Sequence, residues 1–172
     1  MPERSVILTG FMGSGKSSVG RRLAKRLGCP FVDLDAVIVA AAGKSINAIF
    51  AEEGEPAFRA LESTCLERVL AGGRSLIATG GGVVISEANR ELMMRHGVVI
   101  NLRVSLPQLL ERLSGATDRP LYAGEDAAER MDKLMAEREQ FYRVAHIRID
   151  TDGKSVEDVA AEILRFLKGL EQ

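Results

Sequence analysis

Short apolar runs of strand length alternate along the chain with longer segments of helical period. In the longer segments, apolar residues recur every three or four positions, which is typical of a helix with one buried face. Short runs such as residues 98–102 are apolar at nearly every position, as strands covered on both faces require. The five predicted strands lie near residues 5–9, 31–34, 75–79, 98–102 and 147–150. This alternation predicts a three-layer α/β fold, in which helices cover both faces of a mostly parallel sheet.

Local signals indicate where several helices begin and end. Ser45 stands directly before an apolar pattern that continues to Phe50, so it is a candidate N-cap. Gly54 predicts a break before the next helix, and residues 155–167 predict one more amphipathic helix. Residues 114–124 contain two glycines and a proline between helical patterns, which predicts a mobile loop.

Length and charge narrow the class of protein. The chain has 172 residues, of which 46% are hydrophobic, so we expect one domain over residues 1–172 with a substantial core. Lys and Arg number 23 and Asp and Glu number 24, without a basic block, which argues against a nucleic-acid partner. The N-terminal residues contain no signal-peptide pattern, and no apolar run approaches the roughly 20 residues that span a bilayer. We therefore expect no membrane contact and a cytoplasmic protein.

The segment GFMGSGKS at residues 10–17 matches the pattern G-x-x-x-x-G-K-[ST] between a predicted strand and a predicted helix. This is the context of a phosphate-binding P-loop. Its glycines permit backbone conformations in which successive N–H groups face phosphate oxygens. Lys16 is then expected to reach the β- and γ-phosphates, and the Ser17 hydroxyl is expected to bind Mg²⁺.

Two carboxylates follow the second apolar run. Residues two apart on a strand point the same way, so Asp33 and Asp35 are both expected to face the crevice beside the P-loop. One could hold a water molecule of Mg²⁺, and the other could orient or deprotonate an attacking hydroxyl. The alternative is that Asp35 only caps a helix that begins at Ala36.

A run of three glycines, Gly80–Gly82, follows the third predicted strand. Because these residues have no side chains, a small ligand could approach the backbone closely at the carboxyl edge of the sheet. The alternative is a tight turn without a ligand.

Two arginines are candidates for anion recognition. Arg59 lies one helical turn before Glu62, so this arginine is either a ligand-binding group or half of a surface ion pair. Arg119 lies in the predicted loop beside Pro120 and could cover a transferring phosphoryl group, or it could be a solvated loop residue.

Several chemistries lack the residues that they need. No strand ends in the Asp-Glu pair of a motor ATPase, and no Asn-Lys-x-Asp segment offers guanine recognition. His96 and His146 are isolated from each other and from metal-ligand patterns. Phosphoryl transfer to a small acceptor is the reaction class that remains.

The ordered set of motifs resembles that of the shikimate kinases, and the resemblance extends over about residues 5–168. The matching segments are Gly10–Gly20, Phe31–Asp35, Gly54–Glu55 with Phe58, Arg59 and Glu62, Gly80–Gly82, Arg119–Leu121, and Glu137–Arg138 with Tyr142.

The resemblance implies a P-loop kinase of the nucleoside-monophosphate-kinase-like fold, with five parallel strands in the order 2-3-1-4-5. It implies substrate-binding helices at about residues 36–71 and a mobile lid at about residues 114–127. The implied reaction transfers the γ-phosphate of ATP to the 3-hydroxyl of shikimate, which gives shikimate 3-phosphate and ADP on the route to the aromatic amino acids. The implied cofactor is Mg²⁺, and the implied assembly state is a monomer.

The resemblance also implies roles for individual residues. The residues expected to bind ATP are Gly13, Ser14, Gly15, Lys16, Ser17, Ser18, Arg112 and Arg119. The residues expected to bind shikimate are Asp35, Arg59, Gly80, Gly81, Gly82 and Arg138. The expected metal contacts are Ser17 and, through water, Asp33. The expected catalytic residues are Lys16, Asp35 and Arg119.

The chemistry of shikimate agrees with these roles, because its carboxylate and three hydroxyls need guanidinium groups, a carboxylate and exposed backbone amides. Arg59 and Arg138 would clamp the substrate carboxylate, and Phe50 and Phe58 would form an apolar wall against the ring. The adenine base is expected between Arg112 and residues 151–154.

Two other functions stay open at this point. One is a P-loop kinase for another small hydroxy acid, such as gluconate. The other is a ligand-sensing domain that keeps the pocket on the same fold without turnover.

Overall fold

The computed structural model describes residues 3–114 and 126–172, which form a five-stranded parallel sheet with helices on both faces. The strands are β1 (Ser5–Gly10), β2 (Phe31–Asp33), β3 (Leu76–Ala78), β4 (Gly97–Arg103) and β5 (Ile147–Asp150). The helices are α1 (Lys16–Leu27), α2 (Leu34–Ala42), α3 (Ile46–Glu53), α4 (Glu55–Ala71), α5 (Glu87–His96), α6 (Leu106–Leu113), α7 (Ala127–Tyr142) and α8 (Val156–Gly169), with a 3₁₀ turn at Val83–Ile85. The predicted strands are confirmed to within one residue at either end.

The sheet has the order β2-β3-β1-β4-β5, which confirms the expected topology. The central strand β1 pairs in parallel with β3 on one side and with β4 on the other, from Ser5 opposite Gly97 to Gly10 opposite Leu102. All six residues of β1 are buried. Because the carboxyl ends of all five strands meet at one edge, residues that follow the strands are brought together there.

Alternate residues of β1 enter two separate hydrophobic clusters. Ile7 packs into the cluster that holds the buried faces of α2 to α7, whereas Leu8 packs into the cluster that holds α1 and α8. Leu23 on α1 and Ile163 on α8 are fully buried in the second cluster. Burial of such a side chain contributes about 1.5–3 kcal/mol relative to exposure, so each helix is held on the sheet by its apolar stripe.

The predicted helix boundaries at Ser45, Gly54 and Ser155 are confirmed. The Ser45 hydroxyl accepts a hydrogen bond from the Ala48 N–H at 3.1 Å. Gly54, with φ at 86°, ends α3 and precedes α4. Ser155 caps α8 in a reciprocal capping box with Asp158.

The expectation that Asp33 and Asp35 share one strand face is wrong. Strand β2 ends at Asp33, and α2 begins at the next residue. The Asp33 carboxylate accepts hydrogen bonds from the N–H groups of Asp35 at 3.0 Å and Ala36 at 3.4 Å, so Asp33 is the helix cap. The alternative in which Asp35 caps this helix is therefore also wrong, and Asp35 lies in the first turn of α2.

The predicted lid at about residues 114–127 falls largely outside the described residues, and so does its arginine, Arg119. In the described ranges no single helix is long and apolar enough to cross a membrane. Helices α2 and α3 meet the length and composition criteria only as a pair, with a bend of 55° between them.

Candidate functional site

The P-loop occupies the turn between β1 and α1. Gly13 and Gly15 have φ angles of 78° and 96°, in the left-handed region that glycine adopts at low cost. The Lys16 Nζ atom donates hydrogen bonds to the carbonyl oxygens of Gly10 at 2.6 Å and Phe11 at 3.0 Å, so this side chain folds back over the loop. The Ser14 hydroxyl is buried and has no hydrogen-bond partner among the described residues. The loop thus concentrates hydrogen-bond donors at the N-terminus of α1.

A cavity of about 330 Å³ continues from the P-loop towards the segment after β5. Arg112 lies on α6 at its wall and donates hydrogen bonds to the carbonyl oxygens of Gly13 and Thr151, both at 3.1 Å. Ser18 and Lys154 also line this cavity. The structure therefore brings Arg112, the P-loop and the segment after β5 together, as the resemblance implies for a nucleotide site.

A second cavity, of about 590 Å³, lies at the carboxyl edge of the sheet between α2, α3, α4 and α7. All of the predicted shikimate-binding residues line it, together with the two predicted phenylalanines. These residues are Asp35, Phe50, Phe58, Arg59, Gly80, Gly81, Gly82 and Arg138. The Phe50 and Phe58 ring centroids are 4.7 Å apart, so the two rings form one continuous apolar wall.

Each glycine of the run 80–82 lies against a different charged group. A Cβ atom on the first glycine would lie 2.9 Å from the Asp35 Oδ1 atom, and one on the second would lie 3.2 Å from an Arg138 terminal nitrogen. A Cβ atom on the third would overlap the Arg59 guanidinium. The absence of side chains here is what lets the three charged groups approach the backbone so closely.

A half-buried carboxyl, that of Asp35, and a buried one, that of Glu62, give this cavity its negative side. Burial raises the pKa of Asp35, and the nearby Asp33 carboxylate raises it further, although the charges of Lys16 and Arg59 oppose this shift. Burial also raises the pKa of Glu62, against the hydrogen bond that its Oε1 atom accepts from Arg59 at 2.9 Å. The Glu62 Oε2 atom has no partner among the described residues. A raised pKa makes Asp35 a better proton acceptor than an exposed aspartate.

Arg138 gives the cavity a positive charge that no carboxylate of the described residues contacts directly. The residue is only 9% exposed, and its buried Nε atom has no hydrogen-bond partner within residues 3–114 and 126–172. In those same ranges no carboxylate lies within ion-pair distance of its guanidinium, whereas Arg59 pairs with Glu62. The charge of Arg138 reaches Glu62 only at longer range, where it opposes the rise that burial causes in the pKa of that carboxyl. A buried cation without a directly paired anion is costly, so the site favours an anionic ligand.

Sequence reasoning did not single out Asn47, and it named Glu55 and Tyr142 only as motif residues without a role. Asn47 and Glu55 line the larger cavity. The Tyr142 hydroxyl donates a hydrogen bond to the Gly81 carbonyl oxygen at 2.6 Å. Tyr142 follows Arg138 by four residues on a predicted helix, and this spacing could have indicated that both face the same neighbour.

Comparison with known proteins gives one consistent family. The shikimate kinase family model matches residues 12–168. A shikimate kinase of Geobacter metallireducens is 56% identical over 166 residues, which cover 96% of this chain and 93% of that relative. A shikimate kinase of Geobacter sulfurreducens is 50% identical and covers 96% and 91% of the two chains. The solved structure of a shikimate kinase from Acinetobacter baumannii in complex with shikimate has a TM-score of 0.90 and 35% identity, and covers 96% and 93%.

Proposed function

The chain belongs to the shikimate kinase family, and we propose that its two cavities bind ATP and shikimate and that it transfers the γ-phosphate of ATP to the 3-hydroxyl of shikimate. The products are shikimate 3-phosphate and ADP. The observation that supports this most directly is the buried Arg138 guanidinium, which has no anionic partner among the described residues and lies in the same cavity as Asp35. Such a cavity complements an acceptor that carries both a carboxylate and a hydroxyl.

In this proposal the P-loop binds the ATP phosphates. Backbone N–H groups of residues 13–18 and the N-terminus of α1 face the phosphates, and the unpaired Ser14 hydroxyl gains a partner there. Lys16 exchanges its contacts with the P-loop carbonyl oxygens for the β- and γ-phosphates. Arg112 and residues 151–154 then border the adenine. Arg119, outside the described residues, is proposed to neutralise charge on the transferring group.

The described residues suit Mg²⁺ that arrives with the nucleotide. They contain no group of three or more His, Cys, Asp or Glu side chains that could hold a metal by themselves. Mg²⁺ keeps several waters and binds through one or two protein oxygens plus phosphates, so Ser17 and a water-mediated contact to Asp33 are a sufficient protein contribution. When bound, the ion neutralises phosphate charge during transfer.

In the acceptor cavity, Arg59 and Arg138 bind the shikimate carboxylate, and the apolar wall of Phe50 and Phe58 contacts the ring. Asp35 accepts a hydrogen bond from the attacking hydroxyl and receives its proton, a role that its raised pKa favours. The buried Glu62 carboxylate orients Arg59 through their 2.9 Å contact.

The test is coupled ADP release with Mg²⁺-ATP and one of three conditions: shikimate, gluconate or no acceptor. We expect shikimate-dependent release and a low rate without acceptor. Turnover only with gluconate would contradict the assigned carboxylate clamp. Shikimate binding in calorimetry without turnover would favour the ligand-sensing alternative.

We also propose that residues 1–172 act as one kinase domain and as a monomer. The family model covers residues 12–168, nearly the whole chain, which supports a single functional unit. Light scattering coupled to size exclusion should give the mass of one 18.6 kDa chain at assay concentrations. A mass near twice that value would contradict the monomer.

A further inference from the structure

The Tyr142 side chain connects the end of α7 to the glycine run. Tyr142 is 5% exposed and is the last residue of α7. Its hydroxyl donates to the Gly81 carbonyl oxygen at 2.6 Å, a contact between residues 61 positions apart. Tyr142 lines a different cavity from the one that holds Asp35 and Arg138, so it reaches the glycine run from outside the acceptor cavity.

This contact adds a side-chain restraint to the middle peptide of a turn, which the Val83 N–H closes on the Gly80 carbonyl oxygen at 3.3 Å. The peptide bond between Gly81 and Gly82 is trans, so the carbonyl oxygen of the first and the N–H of the second point in opposite directions. Two glycines in succession have no Cβ to restrict rotation of that peptide plane. A hydroxyl that holds the carbonyl oxygen therefore also fixes the direction of the Gly82 N–H, and both glycines line the acceptor cavity.

Arg138 packs on the same peptide one helical turn before Tyr142. One of its terminal nitrogens lies 3.2 Å from the point where a Gly81 Cβ would be. Burial raises the pKa of the Tyr142 hydroxyl, and the positive charge of Arg138 opposes this shift. The hydroxyl is thus protonated at neutral pH and can donate to the carbonyl. The Tyr142 hydroxyl and the Arg138 guanidinium thus both pack against Gly81.

A second anchor holds α7 against the sheet. Glu139, next to Arg138 in the helix, accepts two hydrogen bonds from the Arg148 guanidinium, at 2.7 Å and 3.1 Å. Arg148 lies on β5 and also donates to Asn101 on β4 at 3.0 Å. Paired hydrogen bonds between guanidinium and carboxylate fix orientation as well as distance. Arg138 is therefore placed by an anchor to the sheet on one side and an anchor to Gly81 on the other.

We propose that Tyr142 is a positioning residue of the acceptor site, which holds the Gly81 peptide and Arg138 in the arrangement that binds shikimate, with the Glu139–Arg148 pair as its support. This inference rests on the proposed function, because shikimate is the ligand whose affinity it explains. Tyr142 does not contact the acceptor, so its effect is on binding of shikimate and not on binding of ATP.

The test is Tyr142→Phe, which removes the hydroxyl and keeps the ring. We expect the Kd of shikimate in calorimetry and its KM to rise by roughly 5- to 30-fold, the effect of one lost buried hydrogen bond. The KM of ATP should stay within about twofold, because Tyr142 does not line the nucleotide cavity.

Ser5→Ala is the matched control. The Ser5 hydroxyl is buried and also donates to a glycine carbonyl oxygen, that of Gly73 at 3.3 Å, but at the amino-terminal edge of the sheet. Its loss should lower Tm and leave the binding of both substrates unchanged. An unchanged shikimate Kd in Tyr142→Phe, or equal weakening of shikimate and ATP, would overturn the positioning role.

A second pair of variants tests the Glu139–Arg148 pair. Its result does not depend on whether Tyr142→Phe folds. Arg148→Gln should raise the shikimate Kd selectively. Arg143→Gln is its control, because exposed Arg143, the residue after the end of α7, contacts the same Glu139 at 3.6 Å. Its side chain forms no other ion pair within residues 3–114 and 126–172. If Arg148→Gln and Arg143→Gln have the same shikimate Kd, the inference is overturned. If the wild-type protein fails to bind shikimate, the proposed function and this inference are overturned together. If the wild type binds shikimate but the variants do not weaken that binding selectively, only the inference is overturned.

Discussion

Gly82→Ala places one methyl group against the Arg59 guanidinium without straining the backbone. Gly82 has φ −99° and ψ 3°, values that alanine adopts readily. The added Cβ would lie 2.5 Å from one terminal nitrogen of Arg59 and 2.6 Å from its Cζ atom. Since non-bonded carbon and nitrogen atoms need about 3.5 Å, the guanidinium must move by about 1 Å.

The expected loss follows from what that movement breaks. The Arg59 nitrogen that donates to Glu62 at 2.9 Å leaves hydrogen-bond range, and the same displacement misplaces Arg59 relative to the acceptor carboxylate. A hydrogen bond to a charged group contributes about 1.5–3 kcal/mol. At about 1.4 kcal/mol per factor of ten, the KM of shikimate should rise roughly 10- to 100-fold. The KM of ATP should not change, because Arg59 lies outside the nucleotide cavity.

The assay is steady-state kinetics with each substrate varied at saturation of the other, with Tm as the measure of folding. Gly72→Ala is the matched control, because Gly72 has φ −77° and ψ 2° but a Cβ there would contact only backbone oxygens at 3.3 Å or more. The reasoning is refuted if Gly82→Ala binds shikimate normally, or if Gly72→Ala produces the same change.

Three further variants probe the assigned roles. Lys16→Ala should abolish turnover while circular dichroism stays native, and a near-normal kcat would contradict the P-loop assignment. Arg59→Ala should raise the KM of shikimate far more than that of ATP, and an unchanged shikimate KM would remove Arg59 from the clamp. Hydrogen bonds from Arg148 hold the pKa of Glu139 below its ordinary value of 4.5. The pair therefore stabilises the fold above that pH and loses its effect as pH falls through the lowered pKa. In urea unfolding, the stability advantage of wild type over Arg148→Met should shrink between pH 7 and about pH 3, and a constant advantage would contradict this account.

The α/β architecture could be predicted because burial on both faces leaves a local signal. Every residue of β1 is buried, and its centre, Val6-Ile7-Leu8, is a continuous apolar run, whereas α1 and α8 each bury one stripe and show the helical period. Strand order has no such local signal, since it depends on pairing between distant segments such as β1 and β3. The order came from the resemblance of the motifs to a family.

The boundary between β2 and α2 shows where pattern reasoning fails. The alternation Phe31-Val32-Asp33-Leu34-Asp35 has the period of a strand, so it predicts both carboxylates on one face. The Asp33 carboxylate instead turns back to the N–H groups of Asp35 and Ala36. A side chain that caps a helix competes with continuation of the strand. The periodicity of apolar residues gives no information about this competition.

Candidate site residues were predictable where a motif indicates them and not where tertiary packing selects them. Gly80, Gly81 and Gly82 attract notice as a run, and the structure places all three at the acceptor cavity. Asn47 reaches that cavity only because α3 packs beside α4, and the partner of Tyr142 lies 61 residues away. Neither contact follows from local sequence.

The division of charge in the acceptor cavity separates the tasks of its two arginines. Arg59 is already paired with Glu62 at 2.9 Å, so this carboxylate balances much of its positive charge. In the proposed function its planar donors therefore mainly orient the bound carboxylate. Arg138 has no carboxylate within ion-pair distance among the described residues, and burial makes that lack costly. An acceptor carboxylate removes this cost, whereas a neutral polyol of the same shape leaves it in place. In the proposed function, Arg138 would therefore select for an acid, and Arg59 would select for the orientation of its carboxylate.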